Sequence, residues 1–352
     1  VSLTYKAGTA LLRRLPAETA HITTIKALRA GLGPKTPQDV HPELKTKVGG
    51  LHLPNPVGLA AGFDKNCDVP SAMLAAGFGF VECGTVTPQP QIGNPKPRLF
   101  RLREDEAVIN RMGFNNEGLD YFSKRLGDVQ NRQGIIGANL GANKDSDDRI
   151  ADYVTGLSRL WGKCDYFTIN ISSPNTPGLR NLQGSTEMDE LLDRLSETRA
   201  ALSGDEPSYP MFLKIAPDLD YADVGRVVEQ ARNYGLNAII VSNTTLDRPE
   251  TLKSAARGEG GGLSGQPLFD KSTALLREFY NEAKGKIDLI GVGGIGSGEQ
   301  AYAKIKAGAK AVQLYSALVY QGPQLVQEIC DDLSTRLKAD GFNSLAEAVG
   351  TE

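Results

Sequence analysis

Met211-Phe-Leu-Lys-Ile-Ala-Pro217, a helical stretch, and then Asn237-Ala-Ile-Ile-Val-Ser-Asn-Thr-Thr245 make one strand, helix and strand in succession. Each apolar run is too short for a buried helix and stops at polar or turn-forming residues, so each reads as a buried parallel strand. The same alternation extends in both directions. Further runs lie at 56–61, 79–83, 134–139, 166–171, 287–292 and 309–314, giving eight with 211–215 and 237–241. Eight βα units predict a (β/α)8 TIM barrel. Only the gap between the second and third runs is long. Its proline-rich segment, residues 85–103, predicts an ordered excursion over one face of the barrel.

Ahead of the barrel, residues 3–15 and 17–32 each read as a helix. Leu3, Ala7, Ala10 and Leu11 share one face, and Ile22, Ile25, Leu28 and Leu32 share another. Pro16 separates the helices, while Pro34 and Pro37 end the second. The expected organisation is an N-terminal two-helix extension, residues 1–37, followed by a catalytic barrel, residues 38–352. Residues 45–53 alternate around Gly49-Gly50 and predict a hairpin that closes the barrel bottom.

The chain of 352 residues carries a net charge of -3, without the basic excess that nucleic-acid binding requires. Charge is unevenly spread. Residues 1–35 hold Lys6, Arg13, Arg14, Lys26, Arg29 and Lys35 against Glu18, a surplus of five positive charges that leaves the remainder near -8. Basic amphipathic helices of this kind suit an anionic membrane surface, and covering a barrel end is the alternative use. Cys67, Cys83, Cys164 and Cys330 form no metal-binding pair, and His21, His41 and His52 all precede the first barrel strand, so no metal is expected. No run of apolar residues reaches the length of a membrane span.

A TIM barrel builds its site from the strand C-termini. Here these tips read Gly62-Phe-Asp-Lys65, Gly84-Thr85, Leu140-Gly141, Ser172-Ser-Pro-Asn175, Ala216-Pro217, Ser242-Asn-Thr-Thr245, Gly293-Gly294 and Tyr315-Ser316. Any one of them serves equally as a turn or helix cap, but every tip is polar or glycine-bearing, and Lys65 and Lys214 both stand at strand ends. The seventh and eighth tips, with Gly265, match a phosphate cradle. No Rossmann fingerprint follows the first strand, so a mononucleotide such as FMN is the first expectation. Lys214, inside an apolar run, either points to a polar site or snorkels out. Asn170, Ser173 and Asn175 offer two amides and a hydroxyl to one pocket. The loop from Pro174 to Gln183 is too rich in proline and glycine for a helix and suits a lid.

Five motifs in order, Ala60-Ala-Gly-Phe-Asp-Lys65, Asn110-Arg-Met-Gly-Phe-Asn115, Asn170-Ile-Ser-Ser-Pro-Asn-Thr176, Ser242-Asn-Thr-Thr245 and Gly291-Val-Gly-Gly-Ile295, resemble dihydroorotate dehydrogenase across essentially the whole chain. The resemblance implies oxidation of dihydroorotate to orotate in pyrimidine biosynthesis, with Ser173 as the base. It assigns the substrate to Lys65, Asn110, Arg111, Met112, Gly113, Phe114, Asn170, Asn175, Asn243 and Thr244. It assigns FMN to Ala61, Gly62, Lys65, Thr85, Asn139, Asn170, Lys214, Ser242, Gly265, Gly294, Tyr315 and Ser316. Serine at the base position, where the soluble class carries cysteine, and the N-terminal helices both imply the membrane-associated, quinone-reducing class. His21, Arg101 and Tyr315 match its quinone tunnel by position. In a bacterium, this class implies a peripheral protein on the cytoplasmic face of the inner membrane. The competing expectations are a soluble-class enzyme using fumarate or NAD and a non-catalytic FMN-binding membrane module.

Overall fold

The structure, a computed structural model, describes residues 3–37, 40–129 and 134–352, with side chains described from residue 8 onward. In chain order come α1 (Leu3–Leu12), α2 (Ala17–Arg29), β1 (Thr46–Val48), β2 (Leu51–Leu53), β3 (Val57–Leu59), α3 (Pro70–Ala75), β4 (Phe80–Val86), β5 (Leu99–Leu102), β6 (Ala107–Asn110) and α4 (Gly118–Gly127). The middle of the chain supplies β7 (Ile135–Leu140), α5 (Arg149–Leu160), β8 (Tyr166–Asn170), α6 (Ser185–Ser203), β9 (Met211–Ile215), α7 (Val224–Asn233) and β10 (Ala238–Val241). The last part holds β11 (Gly262–Gly265), α8 (Phe269–Ala283), β12 (Asp288–Val292), α9 (Gly298–Lys306), β13 (Ala311–Leu314), α10 (Ser316–Gln321), α11 (Leu325–Ala339) and α12 (Leu345–Ala348).

All eight expected runs become strands of one closed parallel barrel, ordered β3, β4, β7, β8, β9, β10, β12, β13 and back to β3. Strand residues are buried on both faces because helices cover the outside and side chains fill the inside. The β1–β2 hairpin caps the N-terminal end: Val48 and Leu53 join Phe80, Tyr166 and Phe212 in a separate apolar cluster. The Gly49 N–H donates to Asp288 Oδ2 at 2.8 Å, fixing the hairpin to the foot of β12.

The excursion is more structured than its prolines suggest. β5 and β6 pair antiparallel, and β11 joins from far along the chain to make a three-stranded sheet over the barrel mouth. Gly265 therefore sits at the end of β11.

Of the two N-terminal helices, α2 rests on this sheet and α1 packs against α10. Glu18 accepts from Arg98 Nη2 at 2.6 Å and from Arg98 Nε at 3.3 Å, and Arg98 is almost fully buried. The guanidinium of Arg101 donates to Leu15 O, and Arg103 donates to Arg13 O at 2.7 Å. The expected apolar faces divide. Leu28 is buried, whereas Leu11, Ile22 and Leu32 are exposed. The side chains of Leu3 and Ala7, and residues 38 and 39 on the far side of the expected domain edge, lie outside the described residues.

Candidate active site

Beneath the barrel mouth lies a buried polar layer built from adjacent strands. Glu82 on β4 is fully enclosed, yet its two oxygens accept from Asn139 Nδ2 at 2.7 Å, Thr168 Oγ1 at 2.9 Å, Gln313 Nε2 at 3.0 Å and Tyr166 Oη at 3.3 Å. Lys214 Nζ stands 4.0 Å from Glu82 Oε1. Burial pushes the lysine below its ordinary pKa, and Glu82 opposes that shift. A buried charge persists only with such partners. Lys214 therefore points inward rather than snorkelling out.

Above this layer a cavity of about 310 Å3 runs from the strand tips to the N-terminal helices. Ser173, Lys65, Asn110, Met112, Gly113, Phe114, Asn170, Asn175, Asn243 and Thr244 all lie in its wall. Asn175 Nδ2 donates to Asn110 Oδ1 at 3.1 Å, and Asn243 Nδ2 donates to Ser172 Oγ at 2.9 Å and Asn170 Oδ1 at 3.3 Å. The Asn175 N–H donates to Ser173 Oγ at 3.2 Å, which orients that hydroxyl. Lys65 Nζ donates to Gly62 O at 2.7 Å, and its pKa falls to about 8, chiefly through burial. Arg111 is placed elsewhere: it pairs with Glu259 at 2.8 Å, stacks over Phe100 and is not in the wall.

Ala61, Gly62, Thr85, Lys214, Ser242, Gly265, Gly294, Tyr315 and Ser316 also line the cavity, whereas Asn139 stands behind it. Asn139 Oδ1 accepts from Thr85 Oγ1 at 2.5 Å and from Asn170 Nδ2 at 3.1 Å, so it ties two wall residues to Glu82. The cradle itself depends on glycine. Gly294 has φ +77°, and a Cβ there would stand 2.4 to 2.6 Å from the backbone and Cβ of Phe269 at the start of α8. Ser316 Oγ donates to Ser264 Oγ at 2.8 Å beside it. A planar group carrying a phosphate fits this wall: the cradle has glycine amides at a helix start, and the buried Gln313 Oε1 is an acceptor without a donor among the described residues.

At the outer end His21, Phe63 and Tyr315 pack edge to face, with Phe63 5.5 Å from each of the other two ring centroids. Tyr315 Oη and His21 Nδ1 are 3.4 Å apart. Burial, then the charge of Lys65, lowers the His21 pKa to about 3, so the imidazole is neutral. Arg101, Leu12, Ala17, Ala20, Thr24 and Leu28 complete this end.

The loop after β8 departs from expectation in its second half. Leu179–Gln183 forms a short 3-10 helix, and Leu179 and Leu182 are buried in the core. Arg180 donates to Ser172 O, Thr244 O and Asp218 Oδ2 at 2.8 to 3.0 Å. The proline and glycine content correctly marks a break in regular structure, but apolar side chains and one guanidinium anchor the loop beyond Gly178. Sequence reasoning also missed Glu82 and Gln313. Glu82 stands in an apolar run just as Lys214 does, and the same argument finds it.

Fold and site together define a barrel whose cavity has a polar end and an apolar one, with a cradle that fits a phosphate-bearing group. The family model described as Dihydroorotate dehydrogenase matches residues 43–337. Relatives named dihydroorotate dehydrogenase (quinone) include one from Xanthobacter autotrophicus, 53% identical over 97% of each chain, and one from Parvibaculum lavamentivorans, 52% identical over 97% of each. The crystal structure of DHODH from Eimeria tenella in complex with ferulenol superposes with a TM-score of 0.92 at 38% identity, covering 95% of both chains. The chain belongs to the dihydroorotate dehydrogenase family, whose members are flavin-dependent oxidoreductases.

Proposed function

We propose that this protein oxidises (S)-dihydroorotate to orotate with FMN and delivers the electrons to a membrane quinone. The observation that carries the reading is the single cavity whose polar end and aromatic, apolar end meet at the phosphate cradle and Lys214. Bound FMN supplies a hydride acceptor that can pass its electrons onward. The chain's own residues do the rest. Asn110, Asn170, Asn175, Asn243 and Thr244 present amide and hydroxyl groups to a flat, amide-bearing ring. Ser173 Oγ takes the proton from C5 as hydride leaves C6. A hydroxyl is a weak base alone, so the proton must pass onward along hydrogen bonds, through water or the neighbouring Thr176. Lys65 offers a cation to the substrate carboxylate. Lys214 would offer one to the flavin ring, and Gly265, Gly294 and Ser316 would hold its phosphate.

His21, Tyr315 and Arg101 receive the quinone head at the other end. No helix of the described residues is long and apolar enough to cross a membrane. Arg14, Lys26 and Arg29 are exposed beside exposed Leu11 and Ile22, an arrangement that suits shallow binding to anionic lipid on the cytoplasmic face. Each near-surface cation adds up to about 1 kcal/mol there. Residues 1–37 thus act as a membrane and quinone module on the barrel of residues 38–352. Two measurements test the reading. The purified protein's yellow absorption should bleach on anaerobic addition of dihydroorotate, and a ubiquinone analogue should support turnover where fumarate and NAD do not. Absence of bleaching contradicts it.

A further inference from the structure

Lys304, on α9, is a buried lysine outside the cavity wall. The side chain is fully enclosed. Its stem crosses Gly291, where an added Cβ would stand 3.2 Å from Lys304 Cβ and Cδ, so the missing side chain makes the path. Nζ donates to Ser272 Oγ at 2.6 Å and lies 5.3 Å from the Phe269 ring centroid. Among the described residues no carboxylate forms an ion pair with it. Burial holds the ammonium well below the usual lysine range, with Arg277 pushing it the same way and Asp270 opposing. Lys214, by contrast, has Glu82 beside it. A lysine enclosed without a counter-ion is costly to keep, and its surroundings indicate where a counter-ion would come from.

Ser272 Oγ is also 3.1 Å from Gly293 O and 3.1 Å from Phe269 O. Its one hydroxyl proton serves a carbonyl, while its lone pair accepts from Lys304. Gly293 and Gly294 line the cavity, and a Cβ on Gly293 would stand 2.8 Å from Ser272 Oγ. Two hydrogen bonds therefore separate the ammonium from the cradle turn. We propose that Lys304 is the buried counter-charge of the phosphate cradle, a positioning residue that fixes the Gly293-Gly294 turn through Ser272 and attracts a phosphate dianion from behind the wall. Contact is unnecessary, because charges act over longer range inside a protein than in water. The assignment rests on the FMN reading above and gives that phosphate a specific partner.

The test uses full-length holoenzyme and follows flavin release on dilution by the rise of free-flavin fluorescence. Lys304→Met, which matches the stem and removes the charge, should release FMN at least tenfold faster than wild type. Riboflavin exchanged into the same site lacks the phosphate, and its release should change less than twofold. Ser272→Ala keeps the cation and cuts the link to the turn. It should speed FMN release by a smaller factor, and it decides the matter if Lys304→Met does not fold. Unchanged FMN release in the variant that folds overturns the proposal. Equal acceleration for FMN and riboflavin also overturns it, since that marks a role in packing alone. Wild-type protein that binds neither flavin overturns the FMN reading itself along with this one.

Discussion

The two ends of the cavity are built by different means. The inner end is made by barrel strands, where Glu82, Asn139, Asn170 and Lys214 are held on neighbouring strands of one hydrogen-bonded barrel. The outer end is made of helices attached by guanidinium contacts, Arg98 to Glu18 and Arg101 to Leu15 O, and its wall is aromatic and aliphatic. A rigid polar chamber suits a small, charged reactant that must be held in one pose. An apolar sleeve suits a hydrophobic one. The two half-reactions should therefore be separable by substitution.

The sharpest separation is expected at Ser173. Ser173→Ala should retain flavin and bind orotate, while flavin reduction slows by a factor on the order of 10² to 10⁴, the usual share of a general base. Rapid mixing with dihydroorotate reads this directly. Lys214→Ala should come next. It leaves Glu82 without its ion pair in a fully buried site, a loss of about 3–5 kcal/mol in stability, and the protein should emerge with little flavin or with flavin that reduces slowly. Full occupancy, wild-type reduction and unchanged urea unfolding would together break the inner half of the comparison.

At the outer end, deletion of residues 1–35 should leave bleaching by dihydroorotate intact while turnover with a long-chain quinone falls roughly tenfold or more, since the head loses its positioning walls. Vesicle binding should vanish with the deletion, and that of the intact chain should weaken as salt rises. The smallest effect concerns pH. The folded state holds His21 at a pKa of about 3, below the ordinary 6.5, so the unfolded chain binds more protons between those values. The stability this histidine contributes is complete above pH 6.5 and is lost as pH falls toward 3. Near pH 5 the loss is about 1 kcal/mol after allowing for solvent at the cavity mouth. Unfolding curves at pH 7.5 and pH 5 should differ less for His21→Gln than for wild type.

Periodicity made the barrel legible because each buried strand ends in a polar tip, and all eight runs became barrel strands. The sheet of β5, β6 and β11 was hidden. Its strands are short, two of them follow a proline-rich stretch, and the third arrives from about 150 residues away, a pairing that no local pattern encodes. A separation of 80 residues likewise hid the Arg98 to Glu18 contact. Within the site, motif positions located most wall residues, but direction is not written in a motif. Arg111 follows Asn110 by one residue on an extended segment, so the two side chains leave on opposite sides, and Arg111 meets Glu259 and Phe100 instead of the cavity. Asn139 was reachable as a strand-end amide, yet only the structure shows it supporting Thr85 and Asn170 from behind.

The central claim is that one cavity joins a polar oxidation to an apolar reduction through a bound flavin. An anaerobic experiment on the full-length protein tests it most directly, with dihydroorotate added first and a long-chain ubiquinone analogue in vesicles second, while flavin absorbance is followed throughout. The expected record is complete bleaching by dihydroorotate, then full recovery of absorbance on quinone addition, with fumarate or NAD in place of quinone giving no recovery. A flavin that dihydroorotate does not bleach, or one that fumarate or NAD reoxidises as well as quinone does, would contradict the account.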